Sequence, residues 1–279
     1  MAFMAAAGVL GALAGSFFTA LIPRLGTGET VLTGRSRCDS CAKTLRWFEL
    51  LPVLSFAIQG GRCRFCRGPI PRSYPAIELS TAFLFAATAW ALGRGLIPSP
   101  FLGEAAGAFF GSVAASLVIS FFSYAFFAAT AVAVSFYDLL HRLIPAVLIW
   151  PLAAIGLAEK VAGALIARDA GVFFSGAGMA GAAFLMFWSI WFFSKGRAMG
   201  RGDADVALAI GLFLRPVEAL AGLVFAFWLG AAFGIMALFL RKLGWKSQMP
   251  FAPFLFAGAL AALFASGYVR AITSSLYGI

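Results

Sequence analysis

Two aspartates stand out for where they lie. Asp138 closes an apolar run in Ser-Phe-Tyr-Asp-Leu-Leu-His-Arg-Leu-Ile-Pro, and Asp203 opens another in Met199-Gly200-Arg201-Gly202-Asp203. Carboxylates at the edge of a hydrocarbon layer are expensive and mark functional positions. Two carboxyl groups brought together do not both ionise readily, so one keeps a proton while the other stays charged. The charged partner takes a proton from water, and the neutral one protonates a peptide carbonyl. That is the acid–base logic of an aspartyl protease. Gly200 and Gly202 let an extended substrate backbone lie close beside Asp203. A plainer reading makes Asp203 a helix N-cap and Asp138 a boundary charge paired with Arg142. The chemistry of the two residues leaves both readings open.

The four cysteines form two C-x-x-C pairs, Cys38 with Cys41 and Cys63 with Cys66. Each pair places two thiolates on one metal from a tight turn, and two such turns complete the sulfur tetrahedron that Zn²⁺ prefers in closed structural sites. Arg35, Arg37, Arg62, Arg64 and Arg67 offset the negative charge of a tetrathiolate. A closed site leaves no position for a reactive water, so the metal's expected work is folding the segment. The alternative is a set of unligated or redox-active thiols.

Three further ionisable residues bear on the site. Glu78 lies about one turn into an apolar run, a costly position that suits pairing with a loop arginine or lining a substrate or methyl-donor site. His141, the single histidine, lies three residues from Asp138 and reads as structural or solvent-facing. Asp205 is a rival carboxylate, but it points about 200° around a helix from Asp203. The two cannot both face Asp138.

The elements that must carry these residues are membrane helices. Hydrophobic residues make up 62% of the 279-residue chain and charged residues 11%, against roughly 25% charged in soluble proteins. At about 20 apolar residues per crossing, the sequence predicts about eight transmembrane helices. They fall at Ala2–Ile22, Tyr74–Leu92, Ser112–Tyr137, Ile144–Ala167, Val172–Phe193, Asp203–Leu214, Val217–Leu240 and Phe251–Val269. The third could start earlier, near Ala105, and the sixth is short for a span. The first lacks a basic leader region and reads as a retained span rather than a cleaved signal peptide. The net charge of +10 comes from Lys and Arg in short gaps between apolar runs. That is a topology signal rather than a nucleic-acid footprint. With the N-terminus outside, 16 of the 21 basic residues fall in inner segments, Arg241, Lys242 and Lys246 among them. Both termini are then outside, and the four-Cys segment and both aspartates are cytosolic. Disulfides rarely persist in that compartment.

The ordered motifs resemble the prepilin peptidase, or type IV leader peptidase, family over nearly the whole chain. The matching stretches are Gly11 to Phe17 followed by Arg24, Gly34 to Cys41, Leu51 to Phe56 and Gly61 to Cys66. They continue with Tyr74 to Glu78, Asp138 with Ile144-Pro145, Gly200 to Asp203, and Pro250 to Leu255. The resemblance implies an all-α polytopic membrane protein with a small cytosolic four-cysteine zinc-binding loop domain. The expected division is residues 1–22 as first span, 23–73 as four-Cys domain with a possible methyltransferase part, and 74–279 as transmembrane peptidase. It implies an aspartic endopeptidase of the bacterial inner membrane. Such enzymes remove the leader from prepilin or pseudopilin precursors at the cytosolic face and in many cases methylate the new N-terminus with S-adenosylmethionine. By this resemblance Asp138 and Asp203 would be the catalytic pair; Gly200, Gly202 and Glu78 are, from their own placement, the residues expected to line the substrate. The chain departs from the family pattern at Asp205, where Lys is usual, at Asp39, where Pro is frequent, and at Ser73, where Arg often stands. The competing class is a non-catalytic transporter or a pilus or secretion assembly protein. Transporters often show internal repeats, and none is evident.

Overall fold

The computed structural model describes residues 1–25, 35–100, 104, 108–109, 111–240 and 249–277. Gly34, Ala105, Arg241, Lys242 and Lys246, used above for a motif, a run boundary and the orientation, lie outside the described residues. The apolar runs are helical, and no strand occurs among the described residues. The order is α1 (Ala2–Arg24), a 3-10 turn (Trp47–Leu50), α2 (Leu54–Ile58), α3 (Ser73–Gly93), α4 (Val113–His141) and α5 (Ala146–Ala167). It continues with α6 (Ala170–Ser194), α7 (Arg201–Phe213), α8 (Pro216–Phe239), α9 (Ala252–Phe264) and α10 (Ser266–Tyr277). The chain separates into two compact units, Met1–Trp90 and Ala91–Ile279.

Six helices are long and apolar enough to cross a membrane: α1, α3, α4, α5, α6 and α8. The other two expected spans differ. The run at Phe251–Val269 is not one helix. It breaks after Phe264, and α9 and α10 meet at 73°. Ser266 at the break donates its hydroxyl to the Leu96 carbonyl at 3.2 Å. Arg270 lies 3.6 Å from Glu218, so α10 turns to follow polar partners. The sixth expected span, α7, has 13 residues, about 20 Å at ~1.5 Å per residue, against a hydrocarbon core of about 30 Å.

Helix α7 is short because protein, not lipid, surrounds it. Its residues Ala204, Val206, Ala207 and Ala209 are fully buried. Glycines bring its neighbours to backbone contact. A Cβ on Gly156 of α5 would lie 2.7 Å from the Phe213 nitrogen, and one on Gly211 would lie 2.7 Å from Ala180 of α6. This is the close approach that small residues permit between membrane helices. Phe127 of α4 stacks on Phe213 with centroids 4.8 Å apart and meets Phe256 of α9 edge-on at 5.9 Å. In the first unit, Gly11 and Gly15 of α1 do the same work. A Cβ at Gly15 would fall 2.6 Å from the Glu78 Cα of α3.

Candidate active site and four-cysteine centre

Helix α4 runs four residues further than the expected end at Tyr137 and stops at His141. Asp138 therefore stands inside its last turn. The helix ends on Arg142, whose left-handed backbone (φ 54) turns its N–H back onto the Asp138 carbonyl at 2.8 Å. Asp203 is the third residue of α7. Its carboxylate accepts the Gly200 N–H at 3.1 Å, a capping contact that satisfies an otherwise orphaned donor. The helix-cap contact expected of Asp203 is thus present.

The fold brings the two aspartates together. Both are 5% exposed, and the charge of Asp138 acts on Asp203. The Asp138 carboxylate accepts the Ala252 N–H, at the start of α9, at 3.2 Å. Each carboxyl is thus fixed by one backbone donor, which leaves further lone pairs for a water or a carbonyl-derived group. Gly202 packs on Ile144, where an added Cβ would meet the Ile144 Cβ at 2.8 Å. That contact joins the first turn of α7 to the segment after Asp138. Asp205 is half-buried and interacts with Arg201. The His141 ring packs at a tilt of 43° against Tyr137, with centroids 4.6 Å apart.

Glu78 belongs to the first unit and the two aspartates to the second. Its Oε2 accepts the Val53 N–H at 2.7 Å, and the Ser16 hydroxyl acts on the same carboxylate. It lines a cavity of about 410 Å³ with Ser16, Asp39, Glu49, Cys38 and Tyr74. Glu49 accepts the Arg46 N–H at 2.7 Å, and the Tyr74 hydroxyl donates to Asp39 at 2.9 Å.

The four thiols cluster, with their sulfurs all within 4.8 Å of one another. Cys38 and Cys66 are 3.8 Å apart. A tetrahedron with Zn–S near ~2.3 Å has sulfur–sulfur edges of about 3.8 Å, so the donor set fits that ion. Two backbone knuckles hold it. Cys38 N–H donates to Lys43 at 3.0 Å, Ala42 N–H to Cys38 at 2.8 Å and Leu45 N–H to Ser36 at 2.8 Å. The same three bonds recur from Cys63 to Gly68, Arg67 to Cys63 and Ile70 to Gly61, at 2.8, 2.9 and 2.8 Å. N–H groups of Cys66 and Phe65 pull the Cys63 thiol down to about 7. At Cys66 the Gly68 N–H acts in the lowering direction but is outweighed. Desolvation and the thiols of Cys41, Cys63 and Cys38 push it up to about 11. Crowded thiols resist losing their later protons, and a central cation removes that resistance.

The sequence reading missed a second buried charged group. Lys160 and Glu159 of α5 and Glu218 of α8 are each 2% exposed. The Lys160 ammonium donates to the Leu214 carbonyl at the end of α7, at 2.5 Å. Its stem crosses Gly176 of α6, where a Cβ would lie 2.6 Å from the Lys160 Cδ. The available signal was a Glu-Lys pair inside an apolar run.

Comparison with known proteins gives two family matches. Residues 9–92 match the bacterial peptidase A24 N-terminal domain, and residues 125–235 match the type IV leader peptidase family. Three similar proteins each bear the name prepilin leader peptidase/N-methyltransferase. The one from Burkholderia pseudomallei (strain K96243) is 35% identical over 235 residues, 82% of this chain and 67% of that one. The one from Bacillus subtilis (strain 168) is 30% identical over 255 residues, 91% of each chain. The one from Pseudomonas aeruginosa is 28% identical over 259 residues, 89% of this chain and 77% of that one. No solved structure matches the chain.

Proposed function

The chain belongs to the type IV leader peptidase family, and from that premise we propose that it is a membrane aspartic endopeptidase with Asp138 and Asp203 as its catalytic pair. It removes the leader from prepilin or pseudopilin precursors at the cytosolic face of the bacterial inner membrane. The observation that carries the reading is the pair of buried, mutually interacting carboxyls at the ends of α4 and α7, each held by a single backbone N–H.

The mechanism follows from two carboxyls sharing one proton. The ionised member takes a proton from water as the water oxygen bonds to the scissile carbonyl carbon. The protonated member donates to the carbonyl oxygen. Transfer of a proton to the amide nitrogen then breaks the C–N bond and releases an amine and an acid. The Ala252 and Gly200 donors hold the carboxyls in register through these transfers. Gly200 and Gly202 keep the first turn of α7 bare, so that an extended substrate strand can approach it.

N-methylation of the product is the second activity we assign, in the first unit. S-adenosylmethionine, when bound, supplies a methyl group activated by a sulfonium cation. Glu78, Glu49 and Asp39 line the ~410 Å³ cavity with carboxylates suited to that charge, a volume ordinary for a small-ligand site. Zn²⁺ held by Cys38, Cys41, Cys63 and Cys66 would keep the cavity wall folded without entering the reaction.

The test is incubation of the purified protein with a prepilin and S-adenosylmethionine, followed by mass measurement. Loss of the leader and a gain of one methyl group are expected. An unchanged prepilin mass with folded, membrane-reconstituted protein would favour the assembly-protein alternative.

A further inference from the structure

Between the two knuckles lies a stretch that does not behave as part of a soluble loop. Trp47, Leu54 and Ile58 are 76%, 60% and 83% exposed, and Leu50 and Leu51 are well exposed beside them. Leu54 and Ile58 stand four residues apart on α2 and so share one face. Yet the same stretch is pinned well inside the spans. The Leu50 carbonyl accepts the Ser16 hydroxyl at 3.3 Å, and Val53 N–H donates to Glu78 at 2.7 Å. Ser16 precedes the end of α1 at Arg24 by eight residues, about 12 Å along the helix. Glu78 follows the start of α3 at Ser73 by five residues, about 7.5 Å. Measured from those helix ends, the stretch lies at offsets comparable to the roughly 5–10 Å by which interfacial helices sit within the boundary of headgroups and acyl chains.

The backbone is bent to make this contact. Val53 has φ 60 and ψ −46, a positive-φ conformation that a β-branched residue rarely adopts. It directs the Val53 N–H at Glu78 and starts α2 directly afterwards. Strain of this kind persists where the surroundings over-determine it. The charges are complementary to an anionic leaflet. Arg46 precedes Trp47, and exposed Arg62, Arg64 and Arg67 follow α2. A tryptophan beside arginines is the pattern of a membrane–water boundary.

We propose that Trp47–Ile58 is a membrane-embedded interfacial element whose apolar face rests in an anionic phospholipid leaflet. It anchors the four-cysteine module to the bilayer. The occupant is lipid rather than protein, because both pinning contacts hold the stretch beside helices that cross the membrane.

The experiment uses the full chain in nanodiscs of mixed phosphatidylcholine and phosphatidylglycerol. A photoreactive benzophenone side chain replaces Leu54 or Ile58, one at a time, with Phe83 of α3 (70% exposed) as the lipid-facing reference. After irradiation, intact mass should show phospholipid adducts at both positions in yields comparable to Phe83. Phosphatidylglycerol should exceed its share of the mixture. Adducts at Phe83 but at neither test position, or crosslinks to another polypeptide, overturn the proposal. Adducts without the phosphatidylglycerol excess overturn the anionic part. A second measurement avoids the bulky side chain. The absolute emission lost to brominated lipids should be smaller in Trp47→Phe than in the unsubstituted protein, and an equal loss counts against insertion.

Discussion

Replacing Asp203 with Asn separates chemistry from fold. The Asn side-chain oxygen still accepts the Gly200 N–H, so the first turn of α7 keeps its cap. What disappears is a negative charge near the helix N-terminus, worth about 0.3–1 kcal/mol. Relief of repulsion from Asp138 opposes that loss. The net change in stability should therefore stay within about 1 kcal/mol. The chemical loss is far larger. Removing a positioned proton-transfer group costs roughly 10²–10⁴-fold in rate, or about 2.7–5.4 kcal/mol at ~1.36 kcal/mol per tenfold. Asp205→Asn is the matched control, since its partner is Arg201 at the helix surface. A contact of that kind is worth about 0–1 kcal/mol, which bounds the change in rate at about fivefold. Initial rates of leader removal by the two variants, on one prepilin and at equal folded protein, decide the matter. An active Asp203→Asn with a dead Asp205→Asn would mean the wrong carboxylate has been paired with Asp138.

Lys160→Met should destabilise the protein by about 3–5 kcal/mol, because it removes a buried cation whose charge acts on the buried carboxylates of Glu159 and Glu218, and adding Glu218→Gln should recover part of the loss. Thermal unfolding in detergent reports both, and a single variant as stable as the parent would refute the coupling of Lys160 to these carboxylates. Gly202→Ala should push the segment bearing Ile144 away from α7 at about 1–3 kcal/mol and slow cleavage. Ile144→Ala in the same chain should restore part of the rate, and no restoration would show that the Ile144 contact is not the cause. Freshly purified protein should carry one Zn²⁺ per chain, and Cys63→Ser should lose it, as read by elemental analysis. Binding needs four deprotonated sulfurs, so the metal should leave more readily to a chelator as pH falls. Full metal content in Cys63→Ser would break the assignment.

What could be read from the sequence was chemistry held by neighbours along the chain. Asp203 and its Gly200 donor are three residues apart, and each thiol pair sits in one turn. Helix runs were legible because lipid demands long apolar stretches. The shortness of α7 was visible, but its cause was not. Gly156, Ala180 and Phe127 come from three other helices, and nothing near residue 203 announces them. The Ala252 donor to Asp138 is 114 residues away. Lys160 looked like a topology signal because its partner, the Leu214 carbonyl, is a backbone atom that any residue would supply.

The two knuckles carry that lesson furthest. Their hydrogen bonds superpose with a constant offset of 25 residues, yet in the compared stretch only Arg37/Arg62, Cys38/Cys63 and Cys41/Cys66 are the same residue type. Ala42 and Arg67 both hold φ 55, a conformation that glycine would adopt at less cost, and neither is glycine. Side-chain identity therefore does not enforce the shared turn. The common element is a pair of sulfurs three residues apart, which must converge on one point. The turn is the shape the backbone takes when they do. On this argument the proposed metal is what makes two dissimilar sequences fold alike, and both knuckles should loosen together when it is removed. The segment between them would then lose one of its supports and keep the other, the contacts of Leu50 and Val53 with Ser16 and Glu78.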